Sequence, residues 1–239
     1  MIRSFLVVLF IVLVGILSLP LYLVVFSIGK FDERKKAAVT QKIVGVALRT
    51  IMLISGVKLD VQGIENVPKD EAVLYIANHR GYFDTVVTYP MVPTLTRYIA
   101  KADMQKLPVV SRWMKILKCL FIERDNPKQS LGVIITSIQY IKEGYSIFVM
   151  PEGTRNHKDE LLPFKDGTFK IASKTGCKVI PVAIKGTDDI LENHSPKIKA
   201  GKVSVRYGKP VDMAEFTADE KKRPGEKFRQ IVTDMLKEM

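Results

Sequence analysis

The chain predicts an α/β fold: a central, mostly parallel sheet flanked by helices, preceded by an N-terminal membrane-anchoring helical segment. Three observations predict it. Short apolar runs recur at 57–61, 73–77, 97–100, 119–122, 146–150, 179–184 and 203–207, with the length of buried strands. Helical patterns fall between them near 109–117, 128–142, 167–175 and 217–238, and such alternation puts helices on the faces of a sheet. The third observation is the N-terminus, where Ser4 to Gly29 carries no charge and is mostly Leu, Val, Ile and Phe.

That first run is longer than the roughly 20 residues needed to cross a bilayer core. A signal peptide would have a shorter apolar region and a small-residue cleavage site, which is not seen. Pro20, in mid-run, leaves two geometries open: a spanning helix, or a bend that dips into one leaflet and returns. Lys30 to Lys36 then forms a charged collar at headgroup level. Ile43, Val46, Ala47, Thr50, Ile51 and Ile54 follow helical spacing, with Lys42 and Arg49 on another side. Both an amphipathic surface helix and a core-packing helix fit that pattern. If the first segment spans, the basic collar outweighs the flank with Arg3, which puts the remaining chain on the cytoplasmic face of the cell membrane. Residues 1–56 therefore read as membrane-anchoring helices and 57–239 as one further domain, a natural count for 239 residues.

The net charge of +12 calls for an anionic partner, such as phosphorylated substrate or an anionic lipid surface. No helix-turn-helix, zinc or RNA-binding signature supports nucleic acid. Cys119 and Cys177 are far apart and unaccompanied, which reads as a reducing compartment and two small hydrophobes. No cluster has metal-ligand spacing, and no cofactor is expected.

Chemistry is suggested first by Asn78-His79-Arg80-Gly81-Tyr82-Phe83-Asp84. Along a continuous helix, five residues would turn His79 and Asp84 to different faces. A strand-end histidine, a tight turn at Gly81 and an Asp84 at the N-cap of a short helix would bring them together. Asp84 could then hold one ring nitrogen while the other takes a proton from a hydroxyl. On the pair alone, a turn histidine beside a helix-capping aspartate fits as well. The second constellation, Met150-Pro151-Glu152-Gly153-Thr154-Arg155, also follows a strand. Pro151 ends the ladder, Gly153 permits a sharp turn, and Arg155 offers a planar fork suited to phosphate.

These two blocks together resemble the glycerolipid acyltransferase family, on the branch that acylates lysophosphatidic acid. Two more blocks appear in order: Leu120-Phe121-Ile122-Glu123-Arg124, similar to a block ending in a phosphate-binding arginine, and Val179-Ile180-Pro181-Val182-Ala183-Ile184. The likeness covers about residues 70–190. The chain departs from family habit at Gly81, where Ser is common, and at Lys118, where Gly is common.

The resemblance implies a membrane-bound enzyme that moves an acyl chain from acyl-ACP or acyl-CoA to the sn-2 hydroxyl of lysophosphatidic acid, giving phosphatidic acid for phospholipid synthesis. It implies His79 and Asp84 as catalytic, and Arg155, Arg124 and Lys101 as cations for the acceptor's phosphate. Asn78, Glu152, Gly153, Thr154 and Pro181 support the motifs, and the backbone N–H groups of Gly153 and Thr154 are candidate oxyanion donors. Arg80 and Lys106 remain unassigned. Glycerol 3-phosphate or another lysophospholipid as acceptor would use the same machinery. A protein of another class, a non-catalytic binder of anionic lipid, would share only the charge and the anchor.

Overall fold

The computed structural model describes every residue except Arg124 and Asp159. It begins with a helical hairpin of α1 (Ile2–Gly29) and α2 (Glu33–Ser55), each long and apolar enough to cross a membrane. α1 runs unbroken through Pro20, and the chain reverses instead at residues 30–32. Of the two geometries left open at Pro20, a bend within the run is not the one adopted; the chain turns in the collar. Asp32 accepts the Lys35 N–H and caps α2, which starts ten residues before the predicted 43 because Glu, Arg, Lys and Ala are good helix formers. Gly56, at φ 72°, closes α2 in the left-handed conformation.

The helix α1 lies along the rest of the protein. Ser4 accepts the Ile198 N–H, Val7 enters the core, Gly15 abuts Val109, and the Tyr22 ring lies 4.9 Å from that of Trp113. Its opposite face leaves Phe5, Val8, Val12, Leu13, Ile16 and Leu23 exposed.

The domain that follows alternates as predicted: β1 (Val57–Gln62), β2 (Leu74–Ala77), α3 (Phe83–Thr88), β3 (Thr96–Lys101), α4 (Pro108–Ile116), β4 (Leu120–Ile122), α5 (Pro127–Lys142), β5 (Ser146–Val149), α6 (Lys170–Thr175), β6 (Val179–Lys185), β7 (Gly201–Tyr207), α7 (Ala218–Lys222) and α8 (Pro224–Lys237). One seven-stranded sheet has the order β1-β7-β6-β2-β5-β3-β4. β6, β2, β5, β3 and β4 are mutually parallel; β7 runs antiparallel to β6 and carries β1 parallel to itself. The single helix expected over 217–238 is two, because Pro224 pushes Arg223 out of the helical region, to φ −130° and ψ 58°.

Alternation along β2 divides the core. Tyr75 and Ala77 face the side covered by the hairpin, where Tyr75, Phe148 and Tyr98 stack at centroid distances of 5.6 and 4.5 Å. Leu74 and Ile76 face α5, α6 and α8, where Phe169 stacks on Phe228 at 4.8 Å. Cys119 is buried, and its thiol is pushed up to about 11 by desolvation; Cys177 is half-buried and raised by the same cause. Lys118 adopts φ 55° at the end of α4, the conformation a glycine would take without strain, and its ammonium pairs with Glu33 at 2.8 Å.

Candidate active site

In a parallel sheet the carboxyl ends of the strands open onto a shared crevice, and His79 lies two residues beyond the end of β2 at that edge. Asn78 anchors the departing chain, donating to the Ile184 carbonyl at 2.9 Å and accepting the Ile184 N–H at 2.8 Å. The sharp turn predicted at Gly81 is present, and it delivers Asp84 beneath the imidazole. His79 Nδ1 stands 2.7 Å from Asp84 Oδ2.

Asp84 is not the N-cap. That place belongs to Tyr82, and Asp84 sits in the first turn of α3. From there its Oδ2 reaches back to accept the N–H groups of Arg80 at 2.8 Å and Gly81 at 2.9 Å, so it closes the turn as a capping carboxylate does while also holding the ring. Oδ1 accepts the Thr187 hydroxyl at 2.5 Å. The aspartate side chain is 0% exposed and the histidine 18%, so the acid is sealed in while the imidazole edge meets solvent.

The loop after β5 completes the support. Glu152 is buried, and its Oε1 accepts the His79 N–H at 2.7 Å. Its Oε2 accepts the Leu162 N–H at 2.9 Å and the Asn156 amide at 3.2 Å. Desolvation raises the Glu152 carboxyl above its ordinary value, an effect its hydrogen bonds partly offset. Asn156 in turn donates its backbone N–H to the His79 carbonyl at 2.8 Å. Gly153, at φ 75°, gives its N–H to the Met150 carbonyl at 3.1 Å. It is therefore engaged in the turn and is not an oxyanion donor; of the two backbone candidates, Thr154 remains.

Arg155 stacks on Tyr82, its guanidinium carbon 4.3 Å from the ring centroid. It faces an open cavity of about 360 Å³ that Thr154 and His157 also line. Thus His79, Asp84, Asn78, Glu152, Gly153, Thr154 and Arg155 come together in one place. Lys101 does not join them: it ends β3, two strands away, and pairs with Asp103. Lys106 binds the same Asp103 at 2.8 Å, and Arg80 is held by Asp188 at 2.7 Å and the Lys158 carbonyl. Pro181 is a register residue, buried in β6 opposite Ile76. Arg124 lies outside the described residues.

Sequence reasoning missed Thr187, Asp188, Glu192 and Asn156. The first three sit on the loop leaving β6, more than 100 positions from the turn they bind, and Thr187-Asp188-Asp189 looks like any polar loop.

Fold and site define an α/β protein with a His–Asp pair, its aspartate buried and its imidazole edge open, at the carboxyl edge of a mostly parallel sheet. The chain belongs to the acyltransferase family, whose profile, described as Acyltransferase, matches residues 58–185. A chloroplastic 1-acyl-sn-glycerol-3-phosphate acyltransferase of Brassica napus is 33% identical over 167 residues, 68% of this chain and 48% of that protein. The 1-acyl-sn-glycerol-3-phosphate acyltransferase of Borreliella burgdorferi is 25% identical over 79% of this chain and 74% of its own length. The crystal structure of the 1-acyl-sn-glycerophosphate (LPA) acyltransferase PlsC of Thermotoga maritima superposes with a TM-score of 0.79 at 25% identity, covering 100% of this chain and 97% of that one. The chain spans about half the length of the plant relatives it matches, 48% and 44%.

Proposed function

We propose that the protein transfers a fatty acyl chain from a thioester, acyl-ACP or acyl-CoA, to the sn-2 hydroxyl of lysophosphatidic acid, giving phosphatidic acid. The observation that carries this reading is the 2.7 Å contact of His79 Nδ1 with a fully buried Asp84. Asp84 accepts from Nδ1–H and so fixes the tautomer that leaves Nε2 as the base. Nε2 removes the hydroxyl proton as the oxygen attacks the thioester carbonyl. A tetrahedral oxyanion forms, for which the Thr154 N–H is the candidate donor. Collapse breaks the C–S bond, and the imidazolium, stabilised by Asp84, returns its proton to the leaving thiolate. No acyl-enzyme intervenes. Arg155 takes the acceptor's phosphate, with Arg124 as a further candidate; Lys101, two strands away and paired with Asp103, is not one.

Residues 1–56 serve as the anchor and 57–239 as the catalytic domain, on the cytoplasmic face of an anionic bilayer. Contacts of α1 with Ile198 near one end and Trp113 near the other support a hairpin that dips into one leaflet, because a helix docked along its length cannot cross to the far side. Phe83 and Val87 behind the His79 turn share a core with Val7 of α1 and Met52 of α2, which supports a site that works at the headgroup plane.

Purified protein in detergent, given lysophosphatidic acid or glycerol 3-phosphate with each thioester, should form phosphatidic acid from the first acceptor. Turnover of glycerol 3-phosphate alone, or activity surviving His79→Ala, would overturn the reading. For the anchor, an Ile2→Cys variant in a Cys177→Ser background should react with an impermeant maleimide from the cytoplasmic side; labelling from the far side would mean a span.

A further inference from the structure

We propose that Glu192 is the positioning residue that presents Arg155 to the acceptor's phosphate, and that it reaches this place because residue 81 is glycine. The proposal rests on the reading of Arg155 as a phosphate ligand. Glu192 opens a one-turn helix on the loop leaving β6, and its side chain is 6% exposed. Oε1 accepts the Tyr82 N–H at 2.7 Å and stands 3.5 Å from Arg155 Nη1. Tyr82 is therefore held from behind by Glu192 while its ring carries the Arg155 guanidinium. With one edge against a carboxylate and one face on an aromatic ring, the guanidinium has a fixed plane. Arg155 lines the open cavity and its side chain is 38% exposed, so the rest of the fork is accessible to an anion.

The space for this arrangement comes from Gly81. A Cβ there would stand 2.3 Å from Glu192 Oε2 and 2.5 Å from its carboxyl carbon, both well inside contact distance. The Gly81 backbone lies outside the left-handed region, so the demand is for volume and not for conformation. A side chain at 81 would push the Glu192 carboxylate off Tyr82 and away from Arg155. The serine common in the family at this position and the glutamate at 192 thus compete for one volume. Oε2 itself is buried without a hydrogen-bond partner among the described residues, so the carboxylate is held at some cost, as groups at binding sites often are. A negative charge beside a phosphate site also weakens the bare attraction for anions. The gain from Glu192 is orientation of the fork, which an ammonium or an untethered arginine lacks.

The test is steady-state kinetics of the full chain in detergent micelles, varying lysophosphatidic acid and acyl thioester separately. Glu192→Gln keeps the size and can still accept the Tyr82 N–H, yet loses the charge that holds Arg155. It should raise the acceptor KM by about 2- to 5-fold, the range for a partly exposed ion pair, with kcat and the thioester KM little changed. Gly81→Ser should raise the acceptor KM in the same way. Combined with Glu192→Ala, it should add nothing beyond the Glu192→Ala effect, because both changes act on one contact. An acceptor KM that is unchanged or lowered in Glu192→Gln, or strictly additive effects of the two substitutions, would overturn the proposal. Arg155→Lys reports the underlying reading independently: if it leaves the acceptor KM unchanged, the phosphate role of Arg155 is wrong whatever Glu192 does.

Discussion

The His79 backbone is gripped at both ends by the loop after β5: its N–H donates to Glu152 Oε1 at 2.7 Å, and its carbonyl accepts the Asn156 N–H at 2.8 Å. The two motifs that were separate in the sequence are thus one mechanical unit. The Pro-Glu-Gly-Thr-Arg block contributes a scaffold through Glu152 and, through Arg155, the side chain proposed to meet the acceptor's phosphate.

Glu152→Gln tests the scaffold. The carboxylate serves three donors with two oxygens, whereas an amide has one acceptor oxygen and presents N–H groups to donors on its other side. At least one buried donor loses its partner, at about 1–3 kcal/mol. Chemical denaturation should show that loss, and kcat should fall about tenfold or more as the histidine shifts. The pH dependence of stability has a definite sign. Burial raises the folded-state carboxyl above 4.5, so the native state keeps this proton to higher pH than the unfolded chain. Its contribution is fully present below about pH 4.5 and is lost as pH rises through the raised value. The variant should lack that decline, and a denaturation series across pH that retained it would place the titration elsewhere.

His79→Ala should abolish turnover while leaving the fold intact. Asp84→Asn should lower kcat by about 10²- to 10⁴-fold, since the amide cannot hold the same tautomer. Circular dichroism of both variants separates lost chemistry from lost structure. Near-normal rates in either folded variant would remove the pair from the mechanism.

Thr187→Val removes the hydroxyl on Asp84 Oδ1 while keeping the shape. A fully buried carboxylate oxygen then has no partner, so the proton affinity of the His79–Asp84 pair should change. The expected readout is a displaced pH profile of kcat together with a drop of about tenfold. A lower rate with an unmoved profile would make Thr187 a packing residue only.

Leu13→Glu with Ile16→Lys tests the anchor without uncovering the core, because both residues are on the exposed face of α1. Deletion of α1 would instead strip cover from Met52 and Trp113. Each charge placed in the apolar layer costs up to about 3 kcal/mol at its centre. Sedimentation with anionic vesicles should show the variant shifted to the supernatant, with residual binding that salt removes. Full retention on vesicles in high salt would refute membrane insertion of that face.

The sequence by itself determined the α/β class, the seven strands and the apolar N-terminus, and it offered His79 and Asp84 as a candidate pair that the structure then closed at 2.7 Å. All of these depend on local patterns: strand-length apolar runs, helical spacing, and a glycine turn joining two residues five positions apart. The break of the last helix at Pro224 is also written locally, in a proline that moves Arg223 out of the helical region. Tertiary structure alone decided the rest. β1 pairs with β7, which lies 144 residues away in register, and no local pattern specifies a partner at that distance. Thr187, Asp188 and Glu192 reach the His79 turn only because β6 lies beside β2 in the sheet and releases its loop at the same edge. The same neighbourhood explains Gly81, whose missing side chain in the sequence is a bare departure from family habit. In space it is the volume that the Glu192 carboxylate occupies, 111 residues further along the chain.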